Sequence, residues 1–131
     1  MDNTEIRILV VDDDDMLRDM HSVILEDEDY QVDSAENGRE ALDFFATHQY
    51  DLLLTDMFMP EMNGIELIIQ CQQHYPLTKI IMLSGGGKEI EAKHGAGTIR
   101  FKSQEVEIEL FLQKPFDLDE MLSLIEKILQ K

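Results

Sequence analysis

Short apolar runs alternate with longer amphipathic stretches along this chain. The runs are Ile6–Val11, Leu52–Leu54 and Ile80–Leu83, and each is nearly continuous in apolar residues. Continuous runs are typical of strands that are buried on both faces of a parallel sheet, whereas half-exposed strands alternate apolar and polar residues. A weaker strand is predicted over Tyr30–Ala35. These segments predict the strands of a layered α/β protein.

The stretches between the strands place apolar residues at helical spacing. Leu17, Met20 and Ile24 share one face of the first stretch. Later stretches repeat the pattern with Ala41 and Phe45, and with Ile65, Ile68 and Gln72. The clearest helix begins near Asp117 and Glu120, which resemble a capping box, and its apolar stripe is Met121, Leu122, Ile125, Ile128 and Leu129. Strands that alternate with helices require right-handed crossovers and predict a doubly wound α/β sheet.

Residues 85–108 depart from this alternation. The stretch GGGKEIEAKHGAG has too few spaced apolar residues for an amphipathic helix, and its glycines disfavour one. From Ile99 to Leu112, apolar residues fall mostly at every second position, which is the period of a strand. We therefore expect a hairpin or extended excursion here, and its exposed edge is a possible route to dimerisation through residues 85–112.

Size and composition limit the classes of protein that this chain can belong to. Its length predicts one domain, residues 1–131, and its acidic start lacks the basic residues of a secretion signal. The single cysteine, Cys71, excludes an intrachain disulfide and is consistent with a cytoplasmic protein. The formal net charge of −17, from 28 acidic and 11 basic residues, disfavours nucleic acid binding. No apolar run is long enough to cross a membrane.

Polar residues follow the predicted strands at the points where ligands bind in open parallel sheets. Asp12 and Asp13 follow the first run, Asp56 ends the third strand, Ser84 ends the next, and Lys114 follows the last. Neighbouring carboxylates repel each other unless a cation lies among them, and Mg²⁺ prefers such hard oxygen ligands. A phosphoryl acceptor needs a nucleophile, a metal and a fixed positive charge. Asp56, the acidic pair and Lys114 supply these groups.

Five segments, ILVVDDDD, SAENGREAL, DLLLTDMFMPEMNG, IIMLSGGG and FLQKPF, occur in the order found in receiver domains. The chain therefore resembles the response-regulator receiver domain of two-component signalling over nearly its whole length. The resemblance implies a flavodoxin-like, five-stranded parallel sheet of order 2-1-3-4-5, flanked by five helices. It also implies a cytoplasmic phosphorelay switch whose phosphoryl donor is a histidine kinase or a histidine phosphotransfer protein.

The resemblance also implies a role for each site residue. Asp56 is the phosphorylated residue; Asp13 is a direct Mg²⁺ ligand, Asp12 binds mostly through water, and the backbone carbonyl of Phe58 completes the protein's share. Lys114 pairs with the phosphoryl group, Ser84 moves toward it, and Phe111 matches an aromatic position that turns inward as Ser84 moves. The domain then catalyses only its own phosphorylation and dephosphorylation, and it signals through contacts with a downstream protein.

Two departures from the family pattern concern signalling rather than phosphoryl acceptance. The number of residues between Ser84 and Lys114 exceeds that of the family pattern by about two helical turns. That segment normally holds the fourth helix, which partners contact. The other departure is Phe58, which is apolar where many relatives have a polar residue.

Other functions fit the sequence less well. A phosphatase of the haloacid dehalogenase kind requires an aspartate two residues after its nucleophile, where this chain has Phe58. A receiver that has lost its chemistry and only binds partners is disfavoured because the five polar site residues are all present. The chain is either a stand-alone receiver or a fragment of a longer regulator or hybrid kinase.

Overall fold

A computed structural model gives the fold and describes residues 3–57, 59, 62–84, 90–91, 95–101, 104–113 and 116–130. After a short 3-10 helix at Asn3–Glu5, the described residues form seven strands and four α-helices. The strands are β1 (Arg7–Val11), β2 (Gln31–Ala35), β3 (Leu52–Asp56), β4 (Lys79–Ser84), β5 (Ile90–Glu91), β6 (Gly95–Phe101) and β7 (Gln104–Gln113). The helices are α1 (Asp15–Asp27), α2 (Gly38–Thr47), α3 (Gly64–His74) and α4 (Leu118–Leu129).

All seven strands belong to one sheet, in the order β2-β1-β3-β4-β7-β6-β5. The first five strands in this order are parallel to one another, with β7 in the fifth position. This confirms the predicted parallel sheet of order 2-1-3-4-5. Strands β6 and β5 extend the sheet in antiparallel fashion beyond β7. The carboxyl ends of β1, β3, β4 and β7 therefore lie along one edge of the sheet.

Two hydrophobic clusters cover the two faces of the sheet, which explains why the strand sequences are apolar on both sides. One cluster joins the sheet to α2 and α3 and includes Phe45, Ile65, Ile68 and Cys71. The opposite cluster joins the sheet to α1 and α4 through Leu25, Met121 and Ile125. The predicted apolar faces of α2 and α4 are thereby confirmed, and that of α3 is confirmed at Ile65 and Ile68; Gln72, which was predicted on the same face of α3, is exposed.

Short polar side chains begin each helix. Asp14 is the N-cap of α1, where its carboxylate accepts hydrogen bonds from the amides of Met16 and Leu17. Asn37, Asn63 and Asp117 cap α2, α3 and α4 in the same manner. These bonds satisfy amides that have no partner within the helix. Asp14 and Asp15 therefore serve the start of α1, which leaves Asp12 and Asp13 at the end of β1.

The region between β4 and α4 is extended wherever the structure describes it. Strands β6 (Gly95–Phe101) and β7 (Gln104–Gln113) form an antiparallel pair, which confirms the predicted hairpin. The five helices implied by the resemblance are not found: the described residues contain four, and extended chain stands where the fourth helix was expected. The physical reason is the local sequence, where glycines disfavour a helix and the apolar residues have strand periodicity.

Strand β7 carries a β-bulge. Gly97 pairs with Ile108 and Gly95 pairs with Phe111, so two steps along β6 face three steps along β7. The extra residue moves the following side chains to the other face of the sheet. Val106 and Ile108 therefore contact the α2/α3 cluster, whereas Leu110 contacts the α1/α4 cluster.

One helix face differs from the prediction. In α1 the fully buried residues are His21 and Leu25, and Met20, which was expected on the inner face, is exposed. The imidazole of His21 lies beside the ring of Phe116, with the ring centroids 6.3 Å apart. None of the helices in the described part of the chain is sufficiently long and apolar to span a bilayer.

Candidate functional site

Three carboxylates meet at the carboxyl edge of the sheet. Asp12 and Asp13 follow β1, and Asp56 is the last residue of the neighbouring strand β3. One carboxylate oxygen from each residue lies within 4.8 Å of the other two. The structure thus brings together the acidic residues that the sequence predicted to converge.

Asp12 is held firmly on three sides. Its amide N–H donates to the carbonyl of Ala35 at 3.1 Å, which ties the end of β1 to the end of β2. Its Oδ1 accepts a hydrogen bond from the amide of Asp14 at 2.9 Å. Its backbone carbonyl accepts one from Nη1 of Arg18 at 2.8 Å. Asp12 is buried whereas Asp13 is exposed, so the two neighbours present carboxylates at different depths.

Asp56 is half-buried, and its carboxylate is oriented by the backbone that follows it. The amide of Met57 donates to Asp56 Oδ1 at 3.0 Å. The hydroxyl of Thr55 donates to the backbone carbonyl of Asp56, also at 3.0 Å. Both flanking side chains, Thr55 and Met57, are fully buried. The carboxylate of Asp56 is therefore held by hydrogen bonding at the end of a buried strand.

Gly64, at the start of α3, touches the backbone that carries Asp56. Its amide donates to the carbonyl of Met57 at 2.7 Å. A Cβ on Gly64 would lie 2.5 Å from the carbonyl oxygen of Asp56. This close approach of α3 to the end of β3 requires glycine.

Ser84 and Phe111, the residues predicted to form a switch, lie on the next two strands of the sheet. Ser84 is fully buried at the end of β4, one residue beyond Leu83, which pairs with Asp56. Phe111 is buried in the α2/α3 cluster and pairs with Met82 across β4 and β7.

Two of the predicted site residues, Phe58 and Lys114, lie outside the described residues. The nearest described neighbour of Lys114 is Gln113, which immediately precedes it in the chain and pairs with Ser84 at the carboxyl edge.

The donor set fits a hard divalent cation. Three carboxylates with oxygens within 4.8 Å repel one another in the absence of a positive charge. Mg²⁺ binds oxygen ligands and commonly uses one or two protein carboxylates together with waters and phosphate oxygens. The residues Asp12, Asp13 and Asp56 therefore have the chemistry that such a site requires.

Sequence analysis did not identify Arg18 as part of this site. Burial opposes its charge, but the hydrogen bond that Arg18 donates to Asp15, together with the charges of Asp15, Asp19 and Glu36, raises the pKa of Arg18 above its usual value. The guanidinium is thus a permanent positive charge beside the acidic run. The detectable feature in the sequence is a basic residue in the first turns of a helix, where acidic residues are favoured.

Comparisons with known proteins agree with this geometry. The family model of the response regulator receiver domain matches residues 8–126. The chain is 37% identical over 134 residues to the transcriptional regulatory protein ResD of Bacillus subtilis, covering 100% of this chain and 51% of ResD. It is 34% identical over 124 residues to the regulatory protein AtoC of Escherichia coli, covering 95% of this chain and 25% of AtoC. The chain thus spans about half or less of these relatives.

Solved structures share the fold. The response regulator TrrA of Thermotoga maritima, in complex with Mg²⁺-BeF, aligns with a TM-score of 0.76 at 30% identity, over 94% of this chain and 98% of TrrA. A CheY-like receiver domain protein of Methanospirillum hungatei aligns with a TM-score of 0.79 at 26% identity, over 95% of this chain and 94% of that one. A complex of the histidine kinase ThkA with TrrA gives a TM-score of 0.72 at 29% identity, over 94% and 97% of the two chains. With the parallel sheet, the three convergent carboxylates and a family model that spans nearly the whole chain, this protein belongs to the response-regulator receiver domain family.

Proposed function

We propose that this receiver domain accepts a phosphoryl group on Asp56 from a histidine kinase or a histidine phosphotransfer protein, in a reaction that requires Mg²⁺. The observation that carries the proposal is the meeting of Asp12, Asp13 and Asp56 at the carboxyl edge of the sheet, with oxygens within 4.8 Å. The binding of Mg²⁺-BeF by TrrA, a receiver of the same fold, supports it.

The metal would be held by the carboxylates of Asp12, Asp13 and Asp56 and by the backbone carbonyl of Phe58. When bound, Mg²⁺ offsets the negative charge of the carboxylates and of the incoming phosphoryl oxygens. Asp56 is the nucleophile: a carboxylate oxygen forms the new bond to phosphorus while the bond to the donor's histidine nitrogen breaks. The amide of Met57, which holds Asp56 Oδ1, keeps the attacking carboxylate in a fixed plane.

Three further residues convert phosphorylation into a change of shape. Lys114 supplies a positive charge to the phosphoryl oxygens, and Ser84 donates a hydrogen bond to them. Ser84 and Phe111 lie on neighbouring paired strands, so movement of Ser84 reaches Phe111 through β4 and β7. The domain catalyses only its own phosphorylation and dephosphorylation. It works in the cytoplasm by contacting a downstream protein.

The surface beside the carboxylates suits a protein donor. Met16, Met20 and Val23 lie on one stripe of α1 and are 79%, 38% and 54% exposed. Exposed apolar stripes of this kind mark protein contacts. Because α1 begins at Asp15, two residues after Asp13, a donor that docks on this stripe brings its phosphohistidine toward Asp56. The substitution Met20→Asp should slow phosphoryl transfer from a phosphorylated histidine phosphotransfer domain but not from acetyl phosphate.

The extended hairpin offers a second surface. β5 pairs with β6 only at Arg100 and Phe101, so the outer edge of Gly95–Ile99 faces no other strand among the described residues. This edge has neither charge nor proline, which are the usual protections against strand pairing. We propose that two copies pair here. In analytical ultracentrifugation, wild type should then have the mass of a dimer and Thr98→Pro that of a monomer. A wild-type protein with the mass of a monomer would contradict the proposal.

Incubation with acetyl phosphate tests the central reaction. In the presence of Mg²⁺, intact mass spectrometry should detect the addition of one phosphoryl group. An excess of EDTA should prevent it. Equal phosphorylation with and without the chelator would contradict the proposed metal requirement.

A further inference from the structure

Arg18 reaches from α1 back over the start of the helix to the end of β1. Its Nη1 donates to the backbone carbonyl of Asp12 at 2.8 Å, and its Nη2 donates to Oδ1 of Asp15. The side chain of Arg18 is 15% exposed, whereas that of Asp15 is 81% exposed. The guanidinium thus binds the backbone of Asp12 through Nη1 and the solvent-exposed carboxylate of Asp15 through Nη2.

A simple surface ion pair does not account for this arrangement. Ion pairs with exposed partners contribute little, because water screens them. A cation in the first turns of a helix also opposes the helix dipole, which favours acidic groups there. The contact that distinguishes Arg18 is the one to the backbone carbonyl of Asp12, a residue whose carboxylate belongs to the candidate metal site.

The Asp12 carbonyl lies in the peptide group that joins Asp12 to Asp13. Because a peptide group is planar, a bond that fixes this oxygen also fixes the direction in which the chain enters Asp13. The other restraints act elsewhere: the Ala35 carbonyl holds the amide of Asp12, and the amide of Asp14 holds its carboxylate. Among these three contacts, the one from Arg18 sets the plane of the Asp12–Asp13 peptide.

We infer that Arg18 is a positioning residue for the divalent cation site, through its bond to the Asp12 carbonyl. The inference rests on the proposed function and adds a residue to it. Two effects of Arg18 on Mg²⁺ have opposite signs: its charge repels the cation, and its hydrogen bond orders the ligands. Partners that orient metal ligands typically change affinity by about 10-fold or more. We therefore expect the ordering effect to prevail.

Titration with MgCl₂ by calorimetry distinguishes the two effects. Arg18→Met should weaken Mg²⁺ binding about 10-fold, although it removes a positive charge. Arg18→Lys keeps the positive charge but lacks the two-pronged geometry of the guanidinium. Its affinity for Mg²⁺ should therefore lie between those of wild type and Arg18→Met. The matched control is Arg39→Met, which changes the net charge equally at an exposed position on α2 and should bind as wild type does.

The outcomes separate this inference from the proposed function. If wild type binds Mg²⁺ and Arg18→Met binds it equally well or more tightly, the positioning role is wrong while the metal site stands. If wild type does not bind Mg²⁺, both fail. Thermal unfolding checks that each variant is folded. Should Arg18→Met prove unfolded, Arg18→Lys decides: wild-type affinity for Mg²⁺ in that variant would contradict the proposed need for the guanidinium geometry.

Discussion

The α-carbon of Gly64 lies so close to Asp56 that a Cβ at this position would be 2.5 Å from the Asp56 carbonyl oxygen. Since that neighbour is backbone, it cannot rotate away, and a larger residue must displace either α3 or the end of β3. We expect Gly64→Ala to lower the free energy of unfolding by about 1–3 kcal/mol and to slow phosphorylation of Asp56. Urea denaturation and the rate of reaction with acetyl phosphate measure the two effects.

Gly38 provides the matched control. Like Gly64, it is the first residue of a helix and follows an asparagine N-cap. A Cβ on Gly38 would meet the side chain of Met62, with the nearest atom, Sδ, at 2.9 Å. A side chain yields more readily than backbone, and alanine favours the helix by up to about 1 kcal/mol over glycine. Gly38→Ala should therefore cost less than Gly64→Ala. Equal losses would show that the contact with Asp56 is not special.

The residue that follows the C-cap of α1, Asp29, has a strained backbone conformation that a substitution can relieve. Asp29 has a φ of 72°, in the left-handed region. Its amide donates to the carbonyl of Glu26, and the amide of Tyr30 donates to that of Leu25, which together form a Schellman motif. Glycine is the usual residue at this position because it has no Cβ. Asp29→Gly should raise the free energy of unfolding by about 0.5–1 kcal/mol.

Asp27→Gly tests whether the gain is local. It makes the same chemical change two residues earlier, inside the last turn of α1, where glycine disfavours the helix. Urea denaturation should show no gain for this variant. If both substitutions stabilise the protein equally, removal of negative charge at the helix end is responsible and the strain argument fails.

Several features of the fold and site could be predicted from the sequence because they depend on local patterns. Continuous apolar runs identified the central strands, and the glycines with alternating apolar residues identified the hairpin. Parallel topology then required Asp12, Asp13 and Asp56 to converge at the carboxyl ends, because connected parallel strands end on the same edge.

Other features depend on tertiary contacts that a single sequence does not encode visibly. His21 is buried against Phe116, so an apolar pattern could not place it on the inner face of α1. The bulge in β7 adds one residue to the strand, and no change in the local amino-acid composition marks its position. The sequence places Arg18 in the first turns of a helix but does not indicate its contact with the backbone carbonyl of Asp12.

The bulge brings Glu109 to the start of β4, where its Oε1 accepts a hydrogen bond from the amide of Ile80 at 2.7 Å. Glu109→Ala leaves that amide without this acceptor and should lower the free energy of unfolding by about 1–2 kcal/mol. Glu109→Gln keeps a hydrogen-bond acceptor and should lower the free energy of unfolding by less than Glu109→Ala does. Glu107→Ala is the control, since the described contact of Glu107 is made by its backbone carbonyl, and it should stay within about 0.5 kcal/mol of wild type.

Burial raises the pKa of the Cys71 thiol from 9.0 to about 12. The unfolded chain therefore loses this proton at a lower pH than the folded chain does. The resulting contribution to stability is fully present below pH 9 and is lost as the pH rises from 9 toward 12. Between pH 8 and pH 10 the free energy of unfolding should fall by about 1 kcal/mol on this account. Cys71→Ala should have a shallower slope over the same interval, and an unchanged slope would contradict the assignment.

Phosphorylation of paired aspartate variants tests the function most directly. Asp56 and Asp51 flank the same strand: Asp56 ends β3 at the carboxyl edge, and Asp51 precedes it at the other edge, where its carboxylate accepts from the amide of Arg7. Wild type and Asp51→Asn, incubated with acetyl phosphate and Mg²⁺, should each gain one phosphoryl group by intact mass. Asp56→Asn, although folded, should gain none. A folded Asp56→Asn protein that is phosphorylated as fully as wild type would contradict the assignment of Asp56 as the acceptor.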